Sequence, residues 1–124
     1  MEFGFSEEQL MIQDVARRIA LEKIAPSAEA HDRSGEFPLD NIRLLGENGL
    51  MGIEVPEKWG GAGSSFFTAV LVVEELSRVD PSVGVLVDVQ NTLVNNCILR
   101  YGSEDLKSHW LPRLASEMVG AYAL

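Results

Sequence analysis

The side chains with the most chemical potential in this sequence lie on one predicted helix. Asp88, Asn91, Thr92, Asn95 and Asn96 recur three and four residues apart, so they share a face of a helix over 82–101. The rest of that stretch is apolar. Val83, Leu86, Val87, Val89, Leu93, Val94, Ile98 and Leu99 lie around much of its circumference, and a helix apolar nearly all round is a buried one. Buried polar groups must find partners. Either the stripe bonds the backbone of neighbouring loops, or part of the helix lines a cavity for a ligand with an apolar chain. In the second case Val85, Leu86, Val89 and Leu93 are the candidate apolar wall.

Other candidates reduce to structural roles. The loop 57–64 is glycine-rich, but it lacks the Gly-Lys-Ser/Thr ending of a phosphate-binding loop and the last glycine of a dinucleotide fingerprint. Its glycines are read as supplying positive φ, with Ser64 or Ser65 capping the next helix. His31 and His109 are far apart in polar surroundings. No HExxH, no GxSxG and no paired nucleophile and base occur. No catalytic residue and no metal-ligand set is therefore assigned. The single cysteine, Cys97, excludes an internal disulfide and a Cys-cluster metal site, and is read as a small buried hydrophobe.

These side chains need elements to hold them. Ser6-Glu7-Glu8-Gln9 is a capping box, with Phe5 and Leu10 at the two staple positions. Behind it Ile12, Val15, Ala16, Ile19 and Ala20 keep helical spacing until Pro26, which is expected to kink or end the helix. Leu39, Ile42 and Leu45 predict a second helix, with Pro38 in its first turn and Gly49 as its C-cap. Residues 50–56 are apolar and partly alternating, and read as extended. A third helix covers about 66–78. The fourth, 82–101, opens at Asp80 or Ser82 with Pro81 in its first turn and ends at Gly102. Ser103 caps the last helix, where Pro112 predicts a kink or a restart near Leu111.

Composition sets the bounds. At 124 residues one domain is expected, and 46% hydrophobic with 23% charged residues is ordinary globular usage. Ten Lys and Arg against 19 Asp and Glu leave a net charge of −9, and the basic residues form no run, so nucleic acid is not an expected partner. The longest apolar runs, 69–73 and 83–87, fall far short of the ~20 residues of a membrane span. The fold class is all-α: an antiparallel-type bundle of about five helices around a buried central helix (about 82–101), with an extended C-terminal tail. The small apolar string Gly120-Ala121-Tyr122-Ala123-Leu124 reads as the start of a further element. Residues 1–119 then form the helical domain and 120–124 open the next one.

Taken in order, several segments resemble the flavin-dependent acyl-CoA dehydrogenases. Leu50-Met51-Gly52-Ile53-Glu54-Val55-Pro56-Glu57-Lys58-Trp59-Gly60-Gly61 resembles a loop of that family, as does Val72-Val73-Glu74-Glu75-Leu76-Ser77-Arg78-Val79-Asp80. Gly120 to Leu124 resembles the entry to its flavin-contacting strand. Gln90-Asn91-Thr92-Leu93-Val94-Asn95 is most similar to the short/branched-chain (2-methylacyl) subgroup. The resemblance covers essentially the whole chain.

It implies the N-terminal helical domain of an enzyme that removes an α-proton and a β-hydride from an acyl-CoA thioester, FAD taking the hydride. The expected base, a glutamate, is not in this chain. The resemblance implies Val85, Leu86, Val89, Gln90 and Leu93 as acyl-pocket residues, and Tyr122, Ala123 and Leu124 as flavin contacts. It implies electron-transfer flavoprotein as partner, a homo-oligomer (a tetramer), and a mitochondrial matrix or bacterial cytoplasmic location. The chain alone is expected neither to hold FAD nor to catalyse. The alternative is a stand-alone, non-catalytic helical interaction module.

Overall fold

The computed structural model describes residues 3–123, and among these residues it contains helices and loops but no strand. Five helical rods follow one another. The first comprises α1 (Glu7–Ile19), a π-helical turn (Ala20–Ile24) and α2 (Ala25–Ser34). Then come α3 (Leu39–Glu47) and α4 (Phe66–Ser77). The fourth rod joins α5 (Pro81–Asp88), a second π segment (Val89–Asn95) and α6 (Asn96–Tyr101), and α7 (Glu104–Leu114) is the fifth. The all-α bundle expected from helical periodicity is the observed fold.

The predicted caps form. The Ser6 hydroxyl accepts from the Gln9 amide at 3.2 Å, and the Gln9 side chain accepts from the Ser6 amide at 2.9 Å. Asp80 accepts from the amides of Ser82 and Val83, Ser65 from Thr68, and Ser103 from Leu106. Each removes an orphan donor at a helix start. Phe5 lies 5.8 Å from Phe67, centroid to centroid, and so ties the N-terminal segment to α4.

Two prolines sit within helical rods without ending them. Pro26 does not end the first rod. The Ala25 amide bonds the Ala20 carbonyl, five residues back, so the ladder widens just before the proline, which then occupies the first turn of α2. A first turn is where a missing N–H costs nothing. Pro112 neither restarts nor ends α7, which runs to Leu114. It forfeits one bond, to the carbonyl of the exposed Ser108, two residues before the helix ends.

The core is made where α4 packs between α1 and α5. Ala16, Ile19 and Ile24 meet Ala69, Val72 and Leu76 of α4 and Val83 and Val87 of α5, with Ile42 and Leu45 of α3 completing the cluster. Segment 50–56 closes the open end. Leu50, Met51, Ile53 and Val55 are buried, yet the segment is not a strand. The glycine-rich loop folds back over it, the amides of Ala62, Gly63 and Ser64 bonding the carbonyls of Gly52, Val55 and Ile53, each at 2.9 Å. Gly60 and Gly63 sit at φ 81° and 62°, the positive values the loop was read to need.

One half-buried ion pair links two helices of the bundle. Glu75, 2% exposed, accepts from Arg17 Nη2 at 2.8 Å and Nε at 3.1 Å, joining α4 to α1. The hydrogen bonds from Arg17 hold the Glu75 carboxyl below its ordinary 4.5; burial opposes them, and the positive charge assists. A carboxyl lowered by folding contributes stability above its unfolded value and loses it as pH falls. The native bundle should therefore weaken in acid from about pH 5 downward. Thermal unfolding of Arg17→Met across that range should show a flatter acid limb, and an unchanged limb would remove Glu75 from the account.

Candidate functional site

The polar stripe of the fourth rod is a set of internal fasteners. Asn91, 1% exposed, donates through Nδ2 to the carbonyls of Leu50 (3.0 Å) and Val87 (2.9 Å), and its Oδ1 accepts from the Ile53 amide at 2.8 Å. Asn95 Nδ2 donates to the Met51 carbonyl at 2.8 Å. Asn96 Nδ2 reaches Glu54 Oε2 at 3.0 Å, and Thr92 Oγ1 bonds the Asp88 carbonyl at 2.9 Å. Of the two readings left open, the loop-bonding one describes Asn91 and Asn95, whereas Asn96 bonds the Glu54 side chain and lines the groove described below. An irregular segment has no ladder of its own, so its backbone groups take side-chain amides instead.

Gln90 belongs to the same buried row but serves another segment. Its Nε2 donates to the carbonyls of Leu114 (2.6 Å) and Met118 (2.9 Å), and its Oε1 accepts from the Gly120 amide at 2.8 Å. The chain after α7 is thus laced onto the rod. The π geometry brings this about. Its turns are wider than those of an α-helix, with bonds to the fifth residue, so Gln90, Asn91 and Asn95 all face inward.

The other side of the rod is open. A groove of about 290 Å³ is lined by Thr92, Leu93, Asn96, Cys97, Arg100 and Tyr101 from the rod, Phe66 from the start of α4, and Tyr122 from the tail. Its lining is mixed: three aromatic rings, a leucine and a thiol, with amide, hydroxyl and guanidinium groups. Among the described residues no carboxylate lines it. Such a groove can accept an apolar chain and turn it by shape. Among the described residues no group of three potential metal ligands occurs, and no helix is long and apolar enough to cross a membrane.

Of the residues read from sequence, Leu93 and Tyr122 meet in this groove. Val85 is 60% exposed one turn before Val89, which is half-buried, and Val85, Val89 and Leu93 continue one outward line at i, i+4 and i+8. Leu86 is half-buried against the main core. Gln90 points to the interior, with its amide engaged as described. Ala123 is exposed in the tail, and Leu124 lies outside the described residues.

Cys97 is exposed, not buried as its apolar neighbours suggest, because it falls four residues after Leu93 on the outward face. The rod as a whole is buried along one stripe only. Phe66, Arg100 and Tyr101 were missed as groove residues. Asn96 and Arg100 stand four apart on one face of the rod, a spacing that carried the signal, whereas Phe66 joins through the antiparallel packing of α4 on α5.

Comparison with known proteins places this geometry. The family model described as "Acyl-CoA dehydrogenase, N-terminal domain" matches residues 6–118. The chain is 42% identical over 120 residues to the mitochondrial short/branched chain specific acyl-CoA dehydrogenase of Bos taurus, covering 97% of this chain and 28% of that protein. It is 41% identical to an acyl-CoA dehydrogenase of Bacillus subtilis (strain 168), covering 96% of this chain and 32% of that one. The fold superimposes with a TM-score of 0.88 on the structure of glutaryl-coenzyme A dehydrogenase in its glutaryl-CoA complex, at 34% identity, over 93% of this chain and 30% of the other. The chain thus spans about 28 to 32% of the length of these relatives.

Proposed function

Because the chain belongs to the acyl-CoA dehydrogenase family, as that family's N-terminal domain, we propose that it supplies one wall of the acyl pocket in an FAD-dependent enzyme. Its substrates are short or 2-methyl-branched acyl-CoA thioesters, and the reaction is α,β-dehydrogenation. Residues 1–119 form the helical domain, and 120–124 begin the β-domain. The observation that carries the reading is the groove in which Leu93 of the rod and Tyr122 of the tail face one another.

The residues of the tail fit a flavin. Ala121, Tyr122 and Ala123 are exposed, and their backbone groups make no hydrogen bond among the described residues. Open backbone donors and acceptors beside an aromatic side chain suit the edge of a planar, polar-rimmed ring. When bound, FAD supplies the acceptor for the β-hydride. This chain's own part is to orient and exclude. Val85, Val89 and Leu93, with Leu86 behind them, present branched side chains along the acyl chain and keep water from it. Gln90 stands behind that wall. Tyr122, Ala123 and Leu124 meet the flavin.

The catalytic base lies outside this chain, and so do the cationic contacts that the anionic CoA moiety needs, which agrees with a net charge of −9. Electron-transfer flavoprotein is the acceptor partner, and the enzyme is a homo-oligomer, a tetramer. The relatives' descriptions include a mitochondrial and a bacterial protein, in accord with either the mitochondrial matrix or the bacterial cytoplasm.

Steady-state kinetics of the full-length enzyme over a series of acyl-CoA thioesters test this. Short and 2-methyl-branched substrates should give the highest kcat/KM. Each unaccommodated methylene should cost about tenfold or more, since one methylene is worth ~1–3 kcal/mol. Leu93→Trp should shift the preference to smaller acyl groups. A flat substrate profile, or no flavin in the full-length enzyme, would defeat the reading. The 124-residue chain alone should purify colourless and leave an electron acceptor unreduced with acyl-CoA present.

A further inference from the structure

Gln90 is 1% exposed, and its amide is spent entirely on the end of α7 and the chain that follows it. From the three bonds it makes to Leu114, Met118 and Gly120, we infer that Gln90 is the positioning residue for Tyr122. It sets where the tail crosses the groove, and it acts on the ligands through that tail. The inference rests on the reading that groove and tail face the acyl chain and the flavin.

Three observations converge. First, the bonds are selective. Asn91 and Asn95, the other buried amides of the π segment, bond segment 50–53 and their own helix, whereas Gln90 bonds only residues 114–120. Secondly, the tail has little freedom where Gln90 holds it. A Cβ at Gly120 would run into the side chain of Val94, so Gly120 lies directly against the rod. The Gln90 bond to its amide is therefore the last hydrogen bond found before the exposed residues Ala121, Tyr122 and Ala123. Thirdly, the π segment that turns Gln90 inward turns Leu93 outward, and Leu93 and Tyr122 line the same groove. One turn of helix thus holds both walls, Leu93 directly and Tyr122 through the Gln90 amide.

The test uses the full-length enzyme, with Gln90→Met, which keeps the length and removes the hydrogen bonds. Amide exchange over 118–123 is the primary readout, because it does not depend on activity. Gly120 should exchange roughly tenfold faster in the variant, the equivalent of about one net hydrogen bond, while segment 50–53 keeps its protection. The visible flavin spectrum should change, and the loss in kcat/KM should fall mainly on kcat, because the flavin side of the groove is displaced rather than the acyl wall. Gln90→Glu, which keeps the acceptor for the Gly120 amide but turns a carboxylate toward the Leu114 and Met118 carbonyls, should restore neither the protection nor kcat. If Gln90→Met does not fold, the glutamate variant alone decides by the same exchange measurement.

Unchanged exchange at Gly120, or faster exchange spread evenly over the core, overturns the inference. So does a loss confined to KM. A wild-type enzyme that carries no flavin overturns the functional reading instead, and is recognised because it fails before any variant is compared.

Discussion

Asn91→Ala is expected to destabilise the domain by about 4 kcal/mol, the largest effect of any single side-chain truncation on the fourth rod. The Asn91 amide meets three backbone groups at once: the Leu50 and Val87 carbonyls and the Ile53 amide. Truncation leaves the loop's carbonyl and amide buried and unpaired, each at roughly 1–3 kcal/mol, and adds a small cavity. Small domains have only about 5–15 kcal/mol in total. The variant should unfold at clearly lower denaturant with an unchanged m-value. Asn91→Asp keeps the acceptor for Ile53 but turns a carboxylate toward two carbonyls, so it should not restore stability. A loss under about 1 kcal/mol would mean that water takes over these partners, and that the loop is not held as described.

Gly52→Ala should rank next, at about 3 kcal/mol, toward the upper end for overpacking. A Cβ at Gly52 would stand 2.5 Å from Ala115 Cβ and 2.9 Å from its Cα. Neither atom belongs to a flexible side chain, so relief requires moving the backbone of segment 50–56 away from the end of α7. Val55, Leu111 and Ala115 form a small second cluster there, and it should loosen with the shift. Gly46 faces the same strand of chain, its missing Cβ pointing at the Ser116 carbonyl. Gly46→Ala should therefore act in the same direction. Thermal melts of the two single variants and the double check this. Full additivity would argue that the two contacts are independent, whereas one rigid contact surface predicts a double variant less destabilised than the sum.

The legible part of this protein was the part governed by neighbours in sequence. Ser6, Ser65, Asp80 and Ser103 each bond an amide two or three residues on. Helical spacing of apolar residues reports which face turns inward. Both depend on geometry within one or two turns. The prolines show the limit of that logic. Pro26 and Pro112 carry the same local penalty, and each is absorbed by what surrounds it, a π turn before one and a nearby helix end after the other. Residues 50–56 show it again. Their apolar character reports burial correctly, but the backbone's partners are the glycine-rich loop that follows and side-chain amides about 40 residues away.

The candidate site divides along the same line. Order of motifs along the chain was enough to identify the family, and it implied Val85, Leu86, Val89, Gln90 and Leu93 as pocket residues and Tyr122, Ala123 and Leu124 as flavin contacts, of which Leu93 and Tyr122 line the groove. The sequence by itself therefore determined the helical class and the caps. Only the tertiary structure decided that Cys97 faces out, that Phe66 and Arg100 share the groove with Leu93 and Tyr122, and that Gln90 binds the tail rather than standing free in a pocket. The physical reason is the π segment. A single wide turn changes which residues face inward from that point on, and a backbone carbonyl or amide accepts whichever partner arrives from afar. Neither leaves a mark in the local spacing of residues.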